Sequence, residues 1–212
     1  MLNKLSFDNI FIPRKIDEIE EKERAKIQKL LQQEIIEGDL DLQGINWIED
    51  LGNVKEVRGN VYLQNSSIKS LGNLERVEGD LSLENTPIQS LGNLKYVGED
   101  LYLQDTSIQS LGSLKQVEGS LYLQNSQIQS LGNLEHVRWN LDLYNTSIQS
   151  LGNLQYVGRW LDLRNTPIQS LGNLCYVGKD LYLRNTPLSK LPKEELDEIL
   201  SGIEIKGEIY IE

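Results

Sequence analysis

The chain contains one cysteine, one histidine and one methionine among 212 residues. With Cys175 alone, no intramolecular disulfide forms. Set against the leucines of neighbouring repeats (Leu134, Leu154), Cys175 is expected to be a small apolar core residue. A single His136 leaves no His/Cys set for zinc, and any serine–histidine–aspartate triad would have to use it. No phosphate-cradling G-x-x-x-x-G-K-[ST] or G-x-G-x-x-G phrase follows a strand pattern. No cofactor, no metal and no enzyme activity are therefore expected. Long apolar runs are missing too: nothing approaches the ~18 residues of a membrane span. No apolar stretch leads to a small-residue cleavage site near Met1. A cytoplasmic protein without a membrane partner is the expectation. Clustered Lys and Arg are also absent. With 32 acidic against 21 basic residues and a net charge of −11, counterion release from nucleic acid has no footing.

What the chain does have is a period. Leu51, Leu71, Leu91, Leu111, Leu131, Leu151, Leu171 and Leu191 recur every 20 residues, in a motif written plainly at Asp80–Glu99 as DLSLENTPIQSLGNLKYVGE. A fixed short period means that each copy is one winding of a stacked coil, because a single winding leaves its top and bottom wet. Two columns two residues apart (Leu101 and Leu103, Leu121 and Leu123, Leu141 and Leu143) mark a short strand with one face inward. Ile108, Ile128 and Ile148, then Leu114, Leu134 and Leu154, then Val117, Val137 and Val157 supply further inward columns. The Gly column (Gly52 to Gly172) predicts a corner that needs positive φ, with Asn53 and Asn73 following it. The Asn/Asp column (Asn65, Asn85, Asp105 onward) and the Ser/Thr column beside it predict a second sharp bend, where short polar side chains satisfy backbone groups.

Residues 1–38 form an N-terminal cap: an apolar lead-in (Phe7, Ile10, Phe11, Ile12, Pro13), then a helix from about Ile16 to Glu37 with Gly38 as its C′ residue. Residues 39–191 form the solenoid of about eight coils. Residues 192–212 form a C-terminal cap, in which PKEELDEILSG predicts a short helix with Pro192 at its start. IKGEIYI at 205–211 repeats the V-x-G-x-L-x-L phrase and predicts a last strand near Glu208–Ile211.

Leu101, Leu103, Thr106 and Ile108 keep the spacing of the L-x-L-x-x-T-x-I phrase, and in this the coils resemble leucine-rich repeats, with a short period and a Thr typical of bacterial and phage proteins. The LGNLxxVxG phrase is similar to coils of receptor L domains. The resemblance covers about 150 of the 212 residues. It implies a right-handed parallel β-solenoid with one sheet along one side, used for protein recognition.

Strand residues between inward leucines point outward. The middle outward column runs Asp41, Tyr62, Ser82, Tyr102, Tyr122, Asp142, Asp162, Tyr182, Tyr210. The following one runs Gln43, Gln64, Glu84, Gln104, Gln124, Tyr144, Arg164, Arg184, Glu212. The preceding one runs Asp39, Asn60, Asp80, Asp100, Ser120, Asn140, Trp160, Asp180, Glu208. The inward columns barely change from copy to copy, whereas these vary. Tyrosine, tryptophan and arginine dominate protein interfaces. Tyr102, Tyr122, Asp142, Tyr144, Trp160, Asp162, Arg164, Tyr182 and Arg184 are the candidate partner-binding residues. A protein partner of a monomer or weak oligomer is expected. The same residues suit carbohydrate binding, and the neighbouring carboxylates Asp142 and Asp162 leave open a polysaccharide-active enzyme. A further partial aromatic column, Tyr96, His136, Tyr156 and Tyr176, is expected to stack from coil to coil, with a second contact surface as the alternative.

Overall fold

Each winding carries two strands of two residues, and each strand stacks on its counterpart from the next winding. The computed structural model describes residues 13–212, so the lead-in at Phe7, Ile10, Phe11 and Ile12 lies outside the described residues. It is a parallel β-solenoid with two nine-stranded parallel sheets. One, here the valine sheet, is built from Ile35–Ile36, Glu56–Val57, Arg76–Val77, Tyr96–Val97, Gln116–Val117, His136–Val137, Tyr156–Val157, Tyr176–Val177 and Glu204–Ile205. The other, the leucine sheet, is built from Leu40–Asp41, Val61–Tyr62, Leu81–Ser82, Leu101–Tyr102, Leu121–Tyr122, Leu141–Asp142, Leu161–Asp162, Leu181–Tyr182 and Ile209–Tyr210. The successive pairs are numbered as rungs 1–9. The expectation of one sheet on one side is corrected here. The valine column is itself the inward half of a second ladder, because a β-branched residue beside an outward polar one suits a pleated surface.

The windings close through the predicted corners. Gly52, Gly72, Gly92, Gly112, Gly132, Gly152 and Gly172 all have φ between 56° and 60°, and the seven Asn/Asp residues from Asn65 to Asn185 have φ between 55° and 61°. Seven windings thus have both corners. At the Asn corner Thr86, Thr106, Thr146, Thr166 and Thr186 are buried and donate their hydroxyls to the carbonyls of Leu83, Leu103, Leu143, Leu163 and Leu183 at 2.6–2.8 Å. At the Gly corner a second serine column, from Ser70 to Ser170, bonds the backbone of the turn. Ser90 and Ser130 accept the N–H of Gly92 and Gly132 at 3.1 Å, fixing the turn. Within the coil the aliphatic columns form one continuous core; Leu121, Leu123, Ile128, Leu134 and Val137 are fully buried.

The two ends differ from the regular windings. Helix α1 (Pro13–Leu30) stops seven residues earlier than expected. Leu31 is buried and its carbonyl accepts the N–H of Asn53 at 2.9 Å, so the chain is already stacking on rung 2. Ile36 pairs with Val57, so Ile35–Gly38 open rung 1 rather than end a helix. The helix covers the first winding with Ile27 and Leu30 packed on the core, and Arg24 lies 5.3 Å over Trp47. At the other end Leu188–Lys190 form a 3₁₀ turn and Lys193–Leu200 form helix α2, with Leu196 and Leu200 buried. Rung 9 then closes the stack as expected, Ile209 pairing with Leu181 and Ile205 with Val177.

Cys175 does not enter the core. Leu174 occupies the leucine column, and Cys175, one residue further on, is exposed in the outward column of Gln155, Glu135 and Lys115. No helix among the described residues is long and apolar enough to cross a membrane.

Candidate functional site: the outer face of the leucine sheet

Three of the columns expected on this face have different physical roles. The preceding column is a structural ladder at the corner between the two sheets. Asp39 Oδ1 accepts the N–H of Asn60 at 2.7 Å, Asn60 Oδ1 that of Asp80 at 2.8 Å, and Asp80 Oδ1 that of Asp100 at 2.9 Å. Asp180 Oδ1 does the same for Glu208 at 3.0 Å. Each carboxylate or amide satisfies a backbone donor left over where the chain turns. Outwardness in this column is therefore corrected: these side chains fold back on the next rung. The ladder is interrupted on rungs 5–7: Asn140 donates its side-chain amide to the Ser120 hydroxyl instead, and Trp160 is half-buried at the corner position of rung 7.

The middle column forms the floor of the face. Tyr102 and Tyr122 stack with ring centroids 5.2 Å apart and planes at 11°, and Tyr182 stacks on Tyr210 at 4.8 Å and 8°. Tyr102 donates its hydroxyl to Asp100 Oδ2 at 3.0 Å, and Tyr182 to Asp180 Oδ2 at 3.3 Å. Burial, reinforced by those carboxylates, pushes both hydroxyls up, so they stay protonated donors. Tyr122 is preceded by Ser120 where Tyr102 and Tyr182 are preceded by Asp100 and Asp180, so its own rung offers its hydroxyl no such carboxylate.

Between these tyrosine stacks lie Asp142 and Asp162, adjacent in register on rungs 6 and 7. They are not equivalent. Asp162 is 4% exposed, against the expectation of a solvent-facing residue, and Arg164 covers it. Arg164 Nε lies 3.0 Å from both Oδ1 and Oδ2 of Asp162, Nη2 bonds Oδ2 as well, and the Arg164 N–H reaches Oδ1 at 2.9 Å. The same guanidinium lies 5.6 Å from the ring of Tyr144 and 5.3 Å from that of Tyr182. Asp142 is half-buried and accepts the Tyr144 N–H at 2.9 Å. Burial pushes its carboxyl up, the charge of Asp162 adds to that, and the Tyr144 N–H and Arg164 oppose it. Asp142, Tyr144, Asp162, Arg164 and Tyr182 are thus brought together, with Tyr102 and Tyr122 on one flank. Arg184 is exposed one rung beyond Arg164. Trp160 stands apart, around the corner.

The following column begins with glutamines and ends with the charged and aromatic residues just described. Glu84 interrupts the glutamines: its Oε1 accepts from Gln104 Nε2 at 3.3 Å, while its buried Oε2 has no hydrogen-bond partner. Burial raises its carboxyl above the ordinary value of 4.5. A carboxyl raised in the folded state holds its proton more tightly there than in the unfolded chain. It therefore destabilises the fold above that raised value, and the penalty fades as pH falls through it. Glu84→Gln, which restores the neighbouring residue type, is expected to raise the melting temperature at neutral pH. The gain should shrink as the pH approaches 4.5. Thermal melts of both proteins across that range check this, and a pH-independent difference contradicts it.

The aromatic column of the valine sheet stacks as expected: Tyr156 on Tyr176 at 4.9 Å, His136 tilted on Tyr156 at 6.0 Å, and Arg76 3.7 Å over Tyr96. One large exposed residue escaped the strand columns. Trp139 is 43% exposed at the corner of rung 6, where rungs 2, 3, 5 and 9 have Gly59, Gly79, Gly119 and Gly207. A lone aromatic in a column otherwise made of glycine and charged residues (Glu99, Arg159, Lys179) was the available signal. Among the described residues no group of three or more His, Cys, Asp or Glu is placed to hold a metal ion. No protein-family model matches the chain, and no curated protein matches it.

Proposed function

We propose that the protein is a non-enzymatic binding module that takes a protein partner on the outer face of its leucine sheet, centred on rungs 6–8. The observation that carries this reading is the setting of Arg164. Its guanidinium is held by a buried carboxylate and lies between two tyrosine rings, so it is ordered before any partner arrives. Pre-ordered arginine and tyrosine are the residue types that dominate interface energetics, and ordering them beforehand removes part of the entropic cost of binding. The tyrosine stacks already set one ring face against another, which favours edge contacts with a protein over the free ring face a sugar would need. Asp162, with both oxygens engaged by Arg164, is poorly placed to act as a nucleophile or base beside Asp142. We further place the coils with the leucine-rich repeats, on the L-x-L-x-x-T-x-I phrase, and the protein in the cytoplasm of a bacterium or phage-infected cell.

The test must leave the scaffold intact, because removing Arg164 alone would strand the buried charge of Asp162. Asp162→Ser with Arg164→Gln gives rung 7 the residue types found at Ser82 and Gln104. This double variant, and Tyr144→Ala separately, should keep the melting temperature within a few degrees. Each should weaken a captured partner about 30-fold, the loss of one hot spot of about 2 kcal/mol. Full retention of binding by both variants rejects this face.

A further inference from the structure

A second feature lies off the strand face, on the corner that joins the two sheets. The residues just before the Asp/Asn ladder are Glu99 on rung 4, Gly119 on rung 5, Trp139 on rung 6 and Arg159 on rung 7. Gly119 leaves a gap between Glu99 and Trp139. The glycine is obligatory: a Cβ there would stand 2.4 Å or closer to Asp100 Oδ1 and the Glu99 carbonyl carbon. The gap is a groove of about 340 Å³ lined by Gly98, Glu99, Asp100, Glu118, Gly119, Arg138 and Trp139. Two rung spacings, roughly 9.6 Å, separate its Glu99 and Trp139 ends, enough for one planar group laid against the indole.

The chemistry of its walls is specific. Arg159, from rung 7, lies 5.0 Å from the centre of the Trp139 ring. The groove opens toward rung 5, on the other side of the indole. Of its charged groups, Glu118 is paired with Arg138 at 3.1 Å, and Asp100 is engaged by the Ser120 N–H and the Tyr102 hydroxyl. Glu99 is exposed, and its carboxylate makes no hydrogen bond or ion pair among the described residues; only its backbone does, to Gly79 and Gly119. The groove therefore presents an open indole face, one unengaged carboxylate and an excess of negative charge.

We propose that this groove is a second binding site, and that it takes the arginine side chain of a protein partner. A guanidinium is planar, stacks on aromatic faces and forks onto carboxylates. Trp139 and Glu99 at opposite ends of one gap supply the matching surfaces. Arg159 already makes half of this arrangement on the other side of the ring. Trp139 has no aromatic counterpart in its column, where the other rungs carry glycine or the charged Glu99, Arg159 and Lys179, so the scaffold itself does not call for it. The site shares no residue with the Arg164 cluster; its one link to the leucine-sheet face is Asp100, which holds the Tyr102 hydroxyl.

The test is a titration of the full chain, labelled at tryptophan with ¹⁵N, with the acetylated and amidated peptide Gly-Arg-Gly-Arg-Gly. The three indole N–H resonances, from Trp47, Trp139 and Trp160, report the site, and Trp139→Gly assigns the middle one. A saturable shift confined to Trp139 is expected. Citrulline in place of arginine keeps the shape and removes the charge, and should weaken the apparent affinity about tenfold. Glu99→Gln should weaken it about threefold, with an unchanged melting temperature. Equal response to the citrulline peptide, indifference to Glu99→Gln, or no saturable shift overturns the proposal. So does a response of Trp139 to chitotetraose alone, which would make the groove a sugar site.

Discussion

Gly158→Ala is expected to destabilise the protein by about 3 kcal/mol or more, as a forced overlap in a packed region. The added Cβ would overlap the carbonyl oxygen of Arg138 on the rung below and stand 2.8 Å from its carbon. That neighbour is backbone, tied into two sheets, so it has no rotamer to yield. The backbone at Gly158 is not left-handed, so the penalty is steric alone. Gly152 provides the contrast. It has φ of +56° with nothing within 4 Å of a built Cβ, so Gly152→Ala meets only the left-handed penalty of about 1–2 kcal/mol. Denaturant midpoints of the two variants, at equal m values, separate the effects. Equal losses would show that the corner above Arg138 opens more easily than the rung spacing implies. Because Gly158 stacks on the rung that carries Trp139, the same variant should also disturb the indole resonance.

Leu141→Ala is expected to cost about 3–5 kcal/mol, whereas Ile209→Ala in the same column should cost about 1 kcal/mol or less. Leu141 is fully buried and pairs with both Leu121 and Leu161. Ile209 ends the column at 41% exposure with a rung on one side only. In a stack where each winding touches only its neighbours, the damage should also be local. Amide exchange should accelerate most at Leu121, Leu141 and Leu161, whose N–H groups bond to the next rung at 2.8–3.0 Å. A uniform rise in exchange across all nine rungs would mean that the solenoid unfolds as one body.

Much of this was legible because a strict period turns the chain into its own alignment. The aliphatic columns, the positive-φ glycine corner, the second bend at the Asn/Asp column and the ninth strand follow from it; that the second bend is also left-handed comes from the structure. What escaped lies where two readings share the same residues. Leu31, Ile35 and Ile36 fit a helical stripe and a strand start equally well, and only the pairing of Ile36 with Val57 decides. The valine strands are two residues long, too short for alternation to announce a second sheet. Cys175 stands one residue past Leu174, and a slip of one place turns an outward residue inward. At the face, alternation places Asp142 and Asp162 in one column, but the burial of Asp162 comes from a side chain two residues on in the same rung. The Asp/Asn ladder sits on a corner, where strand alternation no longer says which way a side chain turns, and Trp139 is hidden by the same limit.

The near-identity of rungs 2 to 8 has a consequence for how such a protein changes. Removing or duplicating one 20-residue block, for example Asp80–Glu99, leaves every aliphatic layer facing a layer of the same composition. What alters is distance: the Arg164 cluster moves by one strand spacing, ~4.8 Å, relative to the N-terminal helix. The molecule is in effect graduated, and the reach between its two ends is adjustable in equal increments by recombination within the gene, with no need to redesign the interior.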